Sequence, residues 1–254
     1  MLLLAASVLA FSASCTPPML DGFAEGEYAA GGRLVQYRFH RPLHEADGKR
    51  YPLLVIFHGS GAIGTDNKSQ IGPLAKTWSS SSTAYVLVPQ FRTRSAVYSG
   101  SGAEMTSQGT DALRDSLALI DEIKSRLPID KVYAIGFSMG GSAVWNAIAL
   151  RPGLFTAAVS VAGVPNRDAL AHLGNTRLLL VHGDADNENP IAAARAAFEA
   201  TPNGKVEFWT YHGLKHEFPP ELIAKPKLAD WLFANQPPAR LAPRDRTGTV
   251  RLRT

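Results

Sequence analysis

At 254 residues the chain has room for one large domain or two small ones, and its 45% apolar and 19% charged content suits a globular fold with a well-buried core. The formal charge of +4 is carried largely by the tail "ARLAPRDRTGTVRLRT" (239–254), so no basic face interleaved with aromatics remains to suggest a nucleic-acid role. A single cysteine, Cys15, excludes an intrachain disulfide.

The N-terminal run "MLLLAASVLAFSASC" (1–15) is too short to cross a bilayer and ends in small residues. That is the pattern of a signal-peptide core, although no Lys or Arg precedes it, and it predicts export. Cys15, followed by "TPP", is similar to the lipidated cysteine of a bacterial lipoprotein cleavage box, with Ser12 standing where that box usually carries Leu. A lipid anchor at Cys15 is one expectation; ordinary cleavage near Ser14 and a buried N-terminal helix are the alternatives. At the other end, 237–254 combines Pro, Gly and Arg without apolar periodicity and is expected to be a disordered tail. One folded domain over 28–236 lies between them.

Strands are predicted at "LVQYRFH" (34–40), "PLLVIFH" (52–58), "AYVLVPQ" (84–90), "KVYAIGF" (131–137), "AAVSVAG" (157–163), "RLLLVHG" (177–183) and "KVEFWTY" (205–211). Several are continuous apolar runs, as expected of parallel strands buried on both faces. Between them, "DALRDSLALIDEIKSRL" (111–127) sets Leu113, Leu117, Ile120, Ile123 and Leu127 on one helical stripe. Further helices are predicted at 140–150, 190–200 and 221–234. The alternation implies an α/β fold, a mostly parallel central sheet with helices on both faces. The segment 88–109 reads as a long loop, and "VPNRDALAHLGNT" (164–176) is too short to build a substantial lid. Such sheets bind ligands at the carboxyl ends of their strands.

One of those ends is "YAIGFSMGGSAVW", in which Gly136-Phe137-Ser138-Met139-Gly140 lies between a strand and a helix. This is the G-x-S-x-G pattern in the context that gives it meaning: a reversal so sharp that only small neighbours fit, with Ser138 presented at its apex and at a helix N-terminus. A plain Gly-rich turn is the bland alternative.

With "LLVIFHGSGAIGTDN" before it and "LLLVHGDADNENP" and "YHGLKHEF" after it, the chain over about 50–235 resembles the α/β-hydrolase superfamily. Within that superfamily it is similar to the small exported carboxylesterases and predicted peptidases related to polyhydroxybutyrate depolymerases. The resemblance implies a serine esterase with no cofactor and no metal, whose partner is a small-molecule or polymer-borne ester. It also implies an oxyanion hole formed by the backbone N–H groups of Ser60 and Met139, with Asp66 and Asn67 bracing the loop. Of the seven histidines (His40, His44, His58, His172, His182, His212 and His216), the order Ser, acid, His leaves His212 and His216 as bases. The family's "G-x-x-H" spacing favours His216. The acid turn offers Asp184, Asp186 and Glu188; the family's H-G-x-x-D pattern, counted from His182, selects Asp186, with Asp184 as runner-up. The expected catalytic residues are therefore Ser138, Asp186 and His216.

Arg92, Arg94 and Tyr98 lie at the same sheet end, as substrate contacts or as plain surface. The weak lid implies short or protruding acyl groups. A serine peptidase on the same scaffold, a non-catalytic binding protein, and a metal hydrolase using His182, Asp184, Asp186 and Glu188 are the remaining readings.

Overall fold

The computed structural model describes residues 19–234 apart from 44, 80, 82, 202–203 and 224–226. The segment 1–15 with Cys15, His44, and the tail 237–254 lie outside the described residues.

An antiparallel edge opens the sheet: β1 (Met19–Leu20), β2 (Phe23–Ala30) and β3 (Arg33–His40). It continues through β4 (Tyr51–Phe57), a short α1 (Pro73–Lys76) and β5 (Tyr85–Pro89). A separate hairpin, β6 (Ala96–Ser99) and β7 (Thr106–Gly109), precedes α2 (Asp111–Arg126) and β8 (Ile129–Phe137). Then come α3 (Met139–Leu150), β9 (Ala157–Val161), α4 (Ala169–His172), β10 (Arg177–Gly183), α5 (Ile191–Glu199) and β11 (Val206–Tyr211). The described chain closes with α6 (Pro220–Ile223) and α7 (Lys227–Phe233).

Nine strands form one sheet in the order β1-β2-β3-β5-β4-β8-β9-β10-β11. From β5 to β11 all neighbours are parallel; β3 joins β5 antiparallel. The apolar runs are what this demands: every residue of β5, β9 and β10 is buried. Alternate residues serve two cores. Leu53, Val55 and Phe57 of β4 face Leu113, Leu117 and Ile120 of α2 and Trp145 of α3, while Leu54 and Ile56 face the layer containing Leu222, Leu228 and Leu232. Full burial of one such side chain stabilises the fold by about 1.5–3 kcal/mol. In α2 the first turn carries Asp111 and the last Lys124 and Arg126, each favourable to the helix dipole. Leu127, which precedes Pro128, is extended (φ −121°, ψ 152°), so the helix stops there.

The segment 88–109 is not all loop, because it contains the β6–β7 hairpin with Ala96 paired to Gly109. Four-residue strands set among Ser and Gly carry too little apolar alternation to announce themselves. The sheet also begins upstream of residue 28, at Met19, because β2 ("FAEGEYAA") is an edge element that alternates half-exposed and exposed positions. Within 221–234 the helical residues fall into α6 and α7. The β9–β10 connection holds only the single turn of α4, so nothing there forms a lid.

Strand order reverses at β4: β5 lies on one side and β8 on the other. Such a switch point opens a crevice at the carboxyl ends of the two strands. Those ends carry His58-Gly59-Ser60 and Ser138.

Candidate active site

Ser138 joins β8 to α3 with φ 57° and ψ −120°, a conformation that costs a non-glycine residue of the order of 1–3 kcal/mol. The turn is held by the Ser138 N–H donating to the Val161 carbonyl at 2.9 Å and by the Ser142 N–H donating to the Ser138 carbonyl at 3.0 Å. The flanking glycines are needed for close backbone approach. A Cβ at Gly136 would sit 2.1 Å from the Gly140 oxygen, and one at Gly140 would sit 2.0 Å from the Phe57 oxygen.

Two other strand ends deliver the partners. His216, on the loop after β11, has Nε2 at 2.7 Å from Ser138 Oγ, and its Nδ1 is 2.8 Å from Oδ2 of Asp186, on the turn after β10. An ionised carboxylate only accepts, so Nδ1 carries the proton and Nε2 of the neutral ring is free to accept from the serine hydroxyl. The other carboxylate oxygen, Oδ1, accepts the N–H groups of Glu188 and Asn189, both at 2.9 Å. Burial alone would push the Asp186 carboxyl up. Hydrogen bonds from His182, His216 and the two N–H groups outweigh it and hold the group well below the usual carboxylate range. His216 packs against Phe137 (ring centroids 5.1 Å apart), which in turn meets Phe218 edge-on.

The acid and base loops are pressed together. A Cβ at Gly183 would lie 2.0 Å from the Leu214 oxygen, and the Ala185 N–H donates to that same oxygen. The rival acid and rival base are found bonded to each other. Asp184 accepts from His212 Nδ1 at 2.6 Å and from the Gly213 N–H at 2.7 Å, on the surface, where the His212 side chain is 57% exposed. Glu188 stands at the mouth, 70% exposed, with its carboxylate 3.8 Å from His216 Nε2. Among the described residues, no cluster of three or more His, Cys, Asp or Glu side chains is arranged to hold a metal ion.

The loop after β4 lies beside the serine: a Cβ at Gly59 would be 3.7 Å from Ser138 Cβ. Ser60 opens a 3-10 turn, Ser60–Ala62, and Met139 is the first residue of α3. His58 is a brace. Its Nδ1 lies 2.7 Å from the Gly59 carbonyl, its Nε2 accepts the Phe91 N–H at 2.9 Å, and burial pushes the imidazole down, toward the neutral form. Asp66 accepts from Ser69 Oγ, from the N–H groups of Lys68 and Ser69, and from Gln90 Nε2, which holds its carboxyl well below the usual range. Asn67, at φ 50°, receives Gln90 Oε1 at its N–H and gives its carbonyl to buried Arg38 at 2.6 Å. Gln90 and Arg38 carry no motif of their own, and their part in the loop is visible only once β3 and β5 are neighbours. Arg92 and Arg94 are exposed and Tyr98 is half-buried. None of the three hydrogen-bonds to Ser138, His216 or Asp186.

A family profile described as alpha/beta hydrolase fold matches residues 52–188, more than half of the chain, taking in Ser138 and Asp186. NocK of Nocardia uniformis subsp. tsuyamanensis, which bears the name of an esterase, is 30% identical over 184 residues, 69% of this chain and 52% of its own length. The chain thus spans about half the length of that relative. Among solved structures, a thermostable esterase superposes with a TM-score of 0.73 at 24% identity, covering 84% of this chain and 62% of its own. The Est1E protein of Butyrivibrio proteoclasticus gives 0.56 at 16%, covering 76% and 90%, and Zea mays acyl-protein thioesterase 2 gives 0.55 at 23%, covering 78% and 98%. At these identities the three structures speak to fold alone. With the profile spanning the strands that carry the crevice, the chain belongs to the α/β-hydrolase fold family.

Proposed function

We propose that the protein is a serine esterase that cleaves carboxylic esters with short or exposed acyl groups through an acyl-enzyme intermediate. The observation that carries this reading is the unbroken chain Ser138 Oγ, His216 Nε2, His216 Nδ1, Asp186 Oδ2, with links of 2.7 and 2.8 Å, set at the strand-order switch.

His216 Nε2 takes the Ser138 proton as Oγ bonds to the ester carbonyl carbon. The N–H groups of Ser60 and Met139 receive the oxyanion, an interaction for which removal of one donor typically costs about 10²–10³ in rate. As the C–O bond breaks, the imidazolium returns its proton to the leaving alcohol. Water then attacks the acyl-Ser138 ester, deprotonated by His216, and releases the acid. Asp186 orients the ring and stabilises its charged form throughout. The short β9–β10 connection supports small or protruding acyl groups over long chains.

A fluorophosphonate probe should label the wild type and not Ser138→Ala, and Ser138→Ala should lose ester turnover. Rates on p-nitrophenyl acetate, butyrate and octanoate, set beside a peptide amide, test the substrate class. A preference for the amide would convert the reading into a serine peptidase. The finer placement, among small exported esterases related to polyhydroxybutyrate depolymerases, rests on the four ordered segments and on the apolar stretch 1–15. Envelope fractionation of wild type and Cys15→Ser tests export and lipidation.

A further inference from the structure

Asp186 is served by two histidines. Oδ2, which receives His216, also lies 3.2 Å from Nε2 of His182, four residues earlier on β10. His182 is 2% exposed, and the same Nε2 lies 2.9 Å from the Asn189 carbonyl oxygen. Carbonyl and ionised carboxylate both only accept, so the proton sits on Nε2 and His182 is a shared donor to the two oxygens. It ties the acid to the far end of its own turn. Asn189 carries the tie onward, since its Nδ2 donates to the Ala162 carbonyl at the end of β9 at 2.7 Å.

We propose that His182 is a positioning residue that sets the basicity of the triad acid by sharing the carboxylate oxygen that receives His216. The inference rests on the serine-triad reading above. Oδ1 already takes two N–H groups, so Oδ2 is the only oxygen left for His216, and a second donor there draws electron density away from that bond. The charged and titratable neighbours are few. His216 comes from the loop after β11, and Glu188 lies on the solvent side of His216 Nε2. Asp184 and His212 are occupied with each other, and β8 with α3 presents Phe137 and Ser138. Withdrawing the His182 donor leaves a more basic carboxylate, which holds the His216 imidazolium more strongly. The pH at which His216 becomes a working base then rises.

The test is the acid limb of kcat/KM for p-nitrophenyl acetate in wild type, His182→Leu and His182→Gln; Gln places an amide N–H where Nε2 stands. A limb midpoint does not depend on the fraction of active enzyme, so partial unfolding does not mimic the effect. His182→Leu should move the midpoint up by roughly half a unit, the size of part of one hydrogen bond, and His182→Gln should return it to the wild-type position. If Leu does not fold, His182→Asn, whose shorter amide cannot reach Oδ2, takes its place with the same expectation. An unmoved midpoint in the donor-less variant, whatever its rate, overturns the proposal, as does an equal shift in Gln. Ser138→Ala run alongside separates the failures. If that variant is inactive, an unmoved midpoint removes only the role of His182; if it is fully active, the triad reading and this inference fall together.

Discussion

Asp186→Asn is the sharpest perturbation available, because the structure dictates how the substitution must resolve. The native carboxylate accepts four donors: two N–H groups on Oδ1 and two imidazoles on Oδ2. An asparagine has one acceptor and one NH₂. The backbone N–H groups of Glu188 and Asn189 cannot turn, so the amide oxygen stays with them and the NH₂ faces His216. His216 must then offer a lone pair at Nδ1 and carry its proton on Nε2, the atom that faces Ser138 Oγ at 2.7 Å. A ring in that tautomer cannot take the serine proton. The expected loss in kcat is about 10⁴-fold, roughly 5.5 kcal/mol of barrier, with the fold retained because the substitution is isosteric. Asp184→Asn, which touches only the surface pair with His212, should change kcat at 25 °C by less than about threefold. Ester turnover, corrected for folded protein by thermal melts and circular dichroism, measures both. A loss below about tenfold in a folded Asp186→Asn protein, or an equal loss in Asp184→Asn, would refute the assignment of the acid.

Further outcomes follow from the same geometry. Ser138→Gly should be more stable than Ser138→Ala by about 1 kcal/mol, a few degrees in Tm, because glycine relieves the strain at φ 57° and repays only part of it as chain entropy; a lower Tm for the glycine variant removes the strain argument. Glu188→Gln takes a carboxylate from 3.8 Å of His216 Nε2, so the acid limb of kcat/KM should move down by a few tenths of a unit at low salt and less at high salt, opposite in sign to His182→Leu. Ile120→Ala, at a fully buried position of α2, should cost about 2–5 kcal/mol by urea titration without altering the acid limb. Asp66 and Asp186 both have carboxyls lowered by folding, so the unfolded chain binds their protons first. Their stabilisation is fully present above about pH 4–5 and is lost as pH falls toward the folded values, and Asp66→Asn should flatten the acid side of a stability-against-pH curve.

The parallel strands were legible because burial on both faces forces continuous apolar runs, and "PLLVIFH" and "RLLLVHG" satisfy that without ambiguity. The hairpin of Ala96–Ser99 and Thr106–Gly109 obeys a different rule. It is held by side-chain bonds to its surroundings, Ser107 Oγ to the Val164 carbonyl and Asn146 Nδ2 to Ser107 Oγ, and no local pattern encodes those. Spacing drew attention to His216 and Asp186, and the geometry brings both to Ser138. Spacing did not reveal His182 as more than a motif letter, since its contact with Asp186 exists only in the folded turn. Nor could it show that Arg38, on an antiparallel strand outside the parallel core, reaches across to the Asn67 carbonyl.

Asp184–His212 and Asp186–His216 stand two residues apart on one turn and four apart on the facing loop. A single contact fixes a point and leaves a pivot; two contacts fix a line. The exposed pair therefore governs the bearing of the base loop rather than its location, and its worth should grow with thermal agitation. At low temperature the buried pair alone keeps the imidazole aimed at the serine. Near the melting region a protein without Asp184 would lose that aim before it loses its fold, and the temperature of half-maximal activity would separate from Tm.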